Sequence, residues 1–269
     1  MRTLFDADFL RRSRTALLIG PLALAAVVLG GPVFVLGLGG VGVVAGVELQ
    51  HMTRPAARTG RLLTVGLILA CIAALVLNLS LLAALPALLL AAAGVLETRS
   101  AGGIQRSFYI RCYAILLAGA LYIGVGLGAL ALIRARPDGL ALTLMLLLNN
   151  WSTDAFALIG GRIAGQHKLA PRISPHKTVE GAAAGLAAGL LAGTLTAAAL
   201  LGVPPLAAAA VNALLAVSVQ MGDLLESWVK RRLLVKDSGH ILPGHGGILD
   251  RIDGTLLASL CLYALLLAG

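Results

Sequence analysis

Between Ser227 and Asp253 the chain reads SWVKRRLLVKDSGHILPGHGGILDRID, with five cations, three carboxylates, two histidines and a Gly-rich turn set between two apolar segments. Charge of this density beside a bilayer is costly unless it stays wet, pairs or holds an ionic ligand, so a functional site is the default reading. Asp223, Glu226, Ser227 and Lys230 stand at i, i+3, i+4 and i+7, and if the preceding apolar helix continues they share one face at its end. Lys236 and Asp237 then lead to Pro243, Gly244, His245, Gly246 and Gly247, where glycines let a backbone approach a ligand closely. The last apolar segment opens with Asp250, Arg251 and Asp253. A helix dipole accounts for one acid at that threshold, but not for two aspartates three apart with an arginine between them.

Carboxylates without cysteine, interleaved with lysine and arginine, suit Mg²⁺ bridged to a phosphate better than zinc. His240 and His245 lack a helical zinc spacing, and the Gly-rich turn lacks the GxxxxGK[ST] of a P-loop. His245 reads as a hydrogen-bond donor to phosphate or as a loop-fixing residue. The chemistry this set supports is in-line phosphoryl or nucleotidyl transfer on a polyphosphate. A second polar stretch runs from Asp154 to Gly181, where Pro171 and Pro175 forbid a continuous helix and Ser174, Lys177, Thr178 and Glu180 precede the next apolar run. Here structural readings weigh heavily: Thr178 as an N-cap, Glu180 as a first-turn acid, Arg172 and Lys177 as topology signals.

Long apolar elements must position these residues. The 269 residues are 59% hydrophobic and 12% charged, with a mean hydropathy of +0.94, far from the balance of a soluble domain. The expected fold class is therefore an all-α polytopic membrane protein. At about 20 apolar residues per helix, the chain offers nine candidate spans: 15–31, 32–50, 62–79, 80–96, 112–133, 139–158, 180–202, 204–222 and 250–268. The pairs 15–50 and 62–96 split at Gly30, Gly31 and Pro32 and near Asn78, Leu79 and Ser80. No separate soluble domain fits in the remainder, so the chain divides into N-terminal membrane helices (1–110) and a C-terminal catalytic region (111–269) within one membrane unit, with polar loops at 159–180 and 223–250.

With the N-terminus placed inside and the C-terminus outside, only Arg134 and Arg136 of the 21 lysines and arginines fall outside, as the positive-inside rule demands. A miscounted span would scramble that bias. The net charge of +9 is thus a topology signal, and nucleic-acid binding is excluded as the reading because the cations are dispersed over loops without a recognition module. A cleaved signal peptide is the weaker reading of the first 30 residues, since another apolar run follows at once. Cys71, Cys112 and Cys261 fall in or beside spans without ligand-like spacing and read as packing or lipid-facing residues. Gly181, Gly185, Gly189 and Gly193 recur every four residues, a stripe that reads as close helix packing rather than as a groove for a lipid chain.

The run S-x-x-K-R-x4-K-D followed by P-G-H-G-G-x-x-D-R-x-D, unbroken from Ser227 to Asp253, resembles the signature of the phosphatidate cytidylyltransferase (CDP-diacylglycerol synthase) family. Gly222, Asp223, Glu226 and Ser227, the loop from Asp154 through Gly161, Arg162, Gly165, Lys168 and Pro171 to Ile173–Gly181, and Tyr122, Ile123 and Gly124 are also similar to that family. The resemblance extends from about residue 110 to the C-terminus; the first 100 residues match only in hydropathy. His176 and Leu158 depart from the family's usual residues, outside the signature.

What the resemblance implies is a nine-helix enzyme of the inner membrane that converts CTP and phosphatidic acid into CDP-diacylglycerol and pyrophosphate on the cytoplasmic side. It implies Mg²⁺, with room for a second, monovalent cation such as K⁺, and with Asp223 and Asp250 as the metal-binding aspartates. Lys230, Lys236 and Arg251 would act on the reacting phosphates. Ser174, Lys177, Thr178, Ser227, Arg231, His245, Gly246, Gly247 and Asp253 would line the substrates. Partners are CTP, phosphatidic acid and membrane lipids, with room for a homodimer. A CTP-dependent polyprenol or phytol kinase is the alternative within a related group, opposed by the intact signature. A transporter is the alternative from another class, opposed by charges at helix ends rather than at the midplane and by the lack of a visible repeat.

Overall fold

The computed structural model describes residues 20–53, 58–100, 103–239 and 246–268. Its long apolar stretches break where the sequence places residues suited to left-handed backbone. Gly30 (φ +62°) and Gly31 (φ +50°) separate α1 (Gly20–Leu29) from α2 (Gly31–Thr53), a conformation open to glycine at little cost. The carbonyls left free where α1 ends are met by Arg134, whose Nε donates to Val27 O at 2.6 Å and whose Nη2 donates to Val28 O at 3.2 Å. The second break follows α3 (Arg58–Val76), where Asn78 adopts φ 55° ahead of a 3₁₀ turn (Ser80–Ala83) and α4 (Ala84–Ser100). Both expected splits are therefore real.

The remaining helices are α5 (Gly103–Ala135), α6 (Gly139–Ala164), α7 (Val179–Leu201), α8 (Pro205–Arg232) and α9 (Leu249–Ala268). Among the described residues seven helical segments are long and apolar enough to cross a membrane, while Gly20–Leu29 and Arg61–Val76 are apolar but shorter. Two polar segments expected as loops are more ordered than that. The 159–180 stretch begins with six more residues of α6 than the span 139–158 allowed, then forms an antiparallel hairpin of β1 (Lys168–Ala170) and β2 (Ser174–Thr178), with Lys168 opposite Thr178 and Ala170 opposite Ser174. The 223–250 stretch begins as helix, since α8 runs on to Arg232.

The core is aliphatic and spans both halves of the chain: Leu67 and Ile68 of α3, Leu116 and Ile123 of α5, Leu146 of α6, Leu215 of α8 and Leu256 of α9 are all essentially inaccessible. α5 packs on α2, α3 and α4 and also on α9, so it joins the N-terminal helices to the C-terminal group of α6, α7, α8 and α9. The glycine stripe faces α6: a β-carbon at Gly181 would lie 2.6 Å from Ala157 O, and one at Gly185 2.6 Å from Thr153 O. That face therefore accepts no side chain, which is close helix packing by small residues. Cys71 and Cys112 are buried in packing positions.

Candidate active site

The continuation of α8 past its apolar portion brings the predicted polar face into being. Lys230 Nζ lies 2.9 Å from Glu226 Oε2 on the same helix and 2.6 Å from Asp250 Oδ1 at the start of α9. One turn earlier, Ser227 Oγ donates to Asp223 Oδ1 at 3.4 Å, and Lys177 Nζ at the end of β2 lies 2.6 Å from Asp223 Oδ2. Three elements far apart in sequence thus meet in two lysine–aspartate pairs. The Lys230 pair is the drier one, with side chains 13% and 11% exposed, against 24% and 37% for Lys177 and Asp223. A charge-assisted contact of the first kind is not screened as a surface pair would be.

Asp250 is held by its own turn. Its Oδ2 accepts from Gly247 N at 2.8 Å and from Ser238 N at 3.3 Å. Gly246 has φ +77°, and a β-carbon there would collide with that same oxygen, so glycine is required twice over at this position. Asp253 is buried one turn on; its Oδ1 accepts from Gly254 N at 2.7 Å, and its carbonyl accepts from Tyr122 Oη at 3.3 Å. Asn150 of α6, with its amide oriented as its neighbours require, donates to Asp154 Oδ2 at 3.1 Å and accepts from Thr255 N at 3.2 Å.

Other expected site residues have jobs in the scaffold. Thr178 caps α7, its Oγ1 accepting from Gly181 N at 3.1 Å, while Glu180 accepts from Gln166 N and His167 N and so closes the chain entering the hairpin. Ser174 is a half-buried strand residue at the head of β2. Arg231 is exposed, its Nε donating to Ile173 O at 3.1 Å, which ties the end of α8 to the hairpin. Lys236 and Arg251 are exposed. His245, together with His240 and Pro243, lies outside the described residues.

The donor set suits a hard cation: every charged ligand candidate is a carboxylate, and among the described residues Glu226 Oε1 is buried with no hydrogen-bond partner. Among the described residues no three His, Cys, Asp or Glu side chains form a ready-made metal cage. Asp223 and Asp250 each hold a lysine instead. That arrangement fits Mg²⁺, which needs one or two protein carboxylates when substrate oxygens and water complete its shell.

The sequence reading missed Glu48 of α2. It is 1% exposed, and its carboxylate accepts from Ile248 N and Leu249 N, each at 2.9 Å, and from Ser238 Oγ at 3.3 Å. The signal was present, because Glu48 is the only charged residue in the apolar stretch 15–50, and an ionisable residue inside such a stretch is a functional candidate by default.

The chain is similar to the phosphatidate cytidylyltransferase of Brucella abortus, with 43% identity over 152 residues, 54% of each chain. It is likewise similar to the phosphatidate cytidylyltransferases of Bacillus subtilis, at 39% over 165 residues and 61% of each chain, and of Mycobacterium leprae, at 36% over 171 residues, 63% of this chain and 55% of the other. The match spans little more than half the length of these relatives. The model of the cytidylyltransferase family, by contrast, aligns with residues 10–268, nearly end to end, and the chain therefore belongs to the cytidylyltransferase family.

Proposed function

We propose that this protein transfers CMP from CTP to phosphatidic acid, releasing pyrophosphate and leaving CDP-diacylglycerol in the membrane. The observation that carries the reading is the meeting of Lys177, Asp223, Glu226, Lys230 and Asp250 at one end of an apolar helix group. Such a site can face an aqueous triphosphate and a lipid headgroup at once. The names of the three relatives support the same substrates.

In this reading a phosphatidate oxygen attacks the α-phosphorus of CTP and pyrophosphate departs. The phosphate monoester is already mostly ionised near neutral pH, so no protein nucleophile is needed and little is asked of a general base. Lys177 and Lys230 sit paired with carboxylates that substrate phosphates can relieve of their partners, so each ammonium becomes available as negative charge arrives. Exposed Arg231, Lys236 and Arg251 add positive charge to the same polar run. Asp223 and Asp250 would hold Mg²⁺, with a monovalent cation such as K⁺ alongside. Bound there, Mg²⁺ would supply Lewis-acid stabilisation of charge on the reacting phosphates.

The proposed topology has nine spans, the N-terminus and the polar site on the cytoplasmic side of the inner membrane and the C-terminus outside. Arg134 bound to the α1 end, opposite in the helix group to the Glu48 contacts with the α9 start, supports that alternation. The experiment uses purified protein, dispersed phosphatidic acid and CTP labelled at either the α- or the γ-phosphate. Cytidylyl transfer places the α-label in lipid and the γ-label in pyrophosphate. Lipid carrying the γ-label would point to phosphoryl transfer instead, and the absence of α-label from lipid would overturn the proposal.

A further inference from the structure

α9 begins in an unusual electrostatic setting. The amides of Gly247, Ile248 and Leu249 all end on carboxylates: the first on Asp250, the next two on Glu48. A helix start commonly serves as an anion cradle, but here the free N–H groups and their partial positive charge are already taken by two acids of the protein. Glu48 comes from α2, some 200 residues away in the chain. Its carboxylate sits in a socket with no room for side chains: a β-carbon at Gly239 would lie 2.7 Å from Oε1, and one at Gly247 would lie 2.7 Å from Cδ. Two glycines of the polar run are thus shaped around a residue in the N-terminal third of the chain.

Ser238 links the two acids, its Oγ donating to Glu48 Oε2 and its backbone N to Asp250 Oδ2. Glu48 thus holds the amides immediately ahead of Asp250, and Asp250 in turn meets Lys230 at 2.6 Å. We propose that Glu48 is a positioning residue for catalysis: a buried strut from α2 that fixes the start of α9 so that Asp250 is presented to Lys230 and to the reacting phosphates. A corollary is that the triphosphate is met by lysine and arginine side chains and not by the α9 N-terminus. The proposal rests on the transferase reading for its catalytic part, while its structural part stands apart from it.

Amide hydrogen exchange and steady-state kinetics on purified full-length Glu48→Gln test the two parts separately. An amide keeps the shape but replaces one acceptor oxygen with a donor, so exchange at Ile248 and Leu249 is expected to rise at least about tenfold while α5 and α6 exchange as in the unaltered protein. kcat is expected to fall at least about tenfold with KM for CTP changed less than about threefold, the mark of a group that aligns the reaction rather than binds substrate. Glu48→Asp, which keeps the charge one methylene further back, should recover part of kcat. Unchanged exchange at 248–249 overturns the strut, and raised exchange with unaltered kcat overturns the positioning role. If the unaltered protein forms no CDP-diacylglycerol, the transferase reading fails while the exchange result still judges the strut. Should Glu48→Gln not fold, Ser238→Ala, which removes only the link between the two acids, is expected to lower kcat with KM held, and full activity there overturns the proposal.

Discussion

Lys230 on α8 bridges two carboxylates from different elements, Glu226 Oε2 at 2.9 Å and Asp250 Oδ1 at 2.6 Å. The ammonium therefore joins the end of one helix to the start of the next while leaving one of its three N–H donors for another acceptor. The triad lies at the edge of the apolar helix group with Glu226 and Asp250 about nine-tenths covered, at 8% and 11% exposure.

Lys230→Ala should leave two covered carboxylates facing each other, and breaking a buried pair in this way costs about 3–5 kcal/mol. Thermal unfolding in detergent is expected at a clearly lower temperature, with loss of activity. Adding Glu226→Gln to Lys230→Ala should restore part of the stability and none of the turnover. A double variant as active as the unaltered protein would remove Lys230 from the reaction.

Asp250→Asn and Asp223→Asn keep side-chain volume, and Lys230 retains Glu226 as a partner, so both are expected to insert and fold, yet to lose at least about 100-fold in kcat. Because both would disable one unit, the double variant should be hardly worse than either single one. Full additivity, read from α-label incorporation into lipid, would mean that the two aspartates serve separate steps.

Arg251→Ala and Arg99→Ala remove exposed arginines that count equally toward topology. Arg251 follows Asp250 at the start of α9, so its loss should depress kcat/KM for CTP by about tenfold or more. Arg99→Ala should stay within about twofold, because an exposed cation away from the polar run is screened by salt. Equal, mild losses would show that the arginine of the polar run serves orientation in the membrane only.

Gly185→Leu should prevent the α6–α7 contact, since even a β-carbon at this position would lie 2.6 Å from Thr153 O. Overpacking commonly costs about 1–3 kcal/mol, and with backbone on the far side the loss should reach or exceed the top of that range. Ala187→Leu, on the exposed side of α7, should be tolerated. Yield and thermal unfolding of the two variants decide it.

In a cysteine-free background, single cysteines at exposed Lys168 and Asp237 should react with an impermeant maleimide only from the cytoplasmic face, and one at exposed Asp138 only from outside. Reaction of the first two from opposite faces would break the nine-span topology. It would also separate Lys177 from Asp223, which the structure joins at 2.6 Å.

Much of the site was legible in the sequence because its information is local. Helical period alone put Asp223, Glu226, Ser227 and Lys230 on one face, and that face exists because α8 continues to Arg232. Thr178 read as an N-cap and is one, and both helix breaks fall at residues that tolerate left-handed backbone. The hairpin of β1 and β2 was not legible: three- and five-residue strands around Pro171 and Pro175 carry too little periodicity to distinguish them from a loop.

What only the tertiary structure decided is who partners whom. Hydropathy places an apolar helix in a bilayer but says nothing about which neighbour it faces, since lipid and an aliphatic side chain are equally good surroundings. Pairing Lys177 with Asp223 and carrying Glu48 from α2 to the start of α9 each depend on packing across long stretches of chain. The sequence by itself determined a set of apolar helices with a densely charged end. The fold decided that a carboxylate from the N-terminal third completes that end, because a buried acid can be satisfied only by donors that packing brings to it.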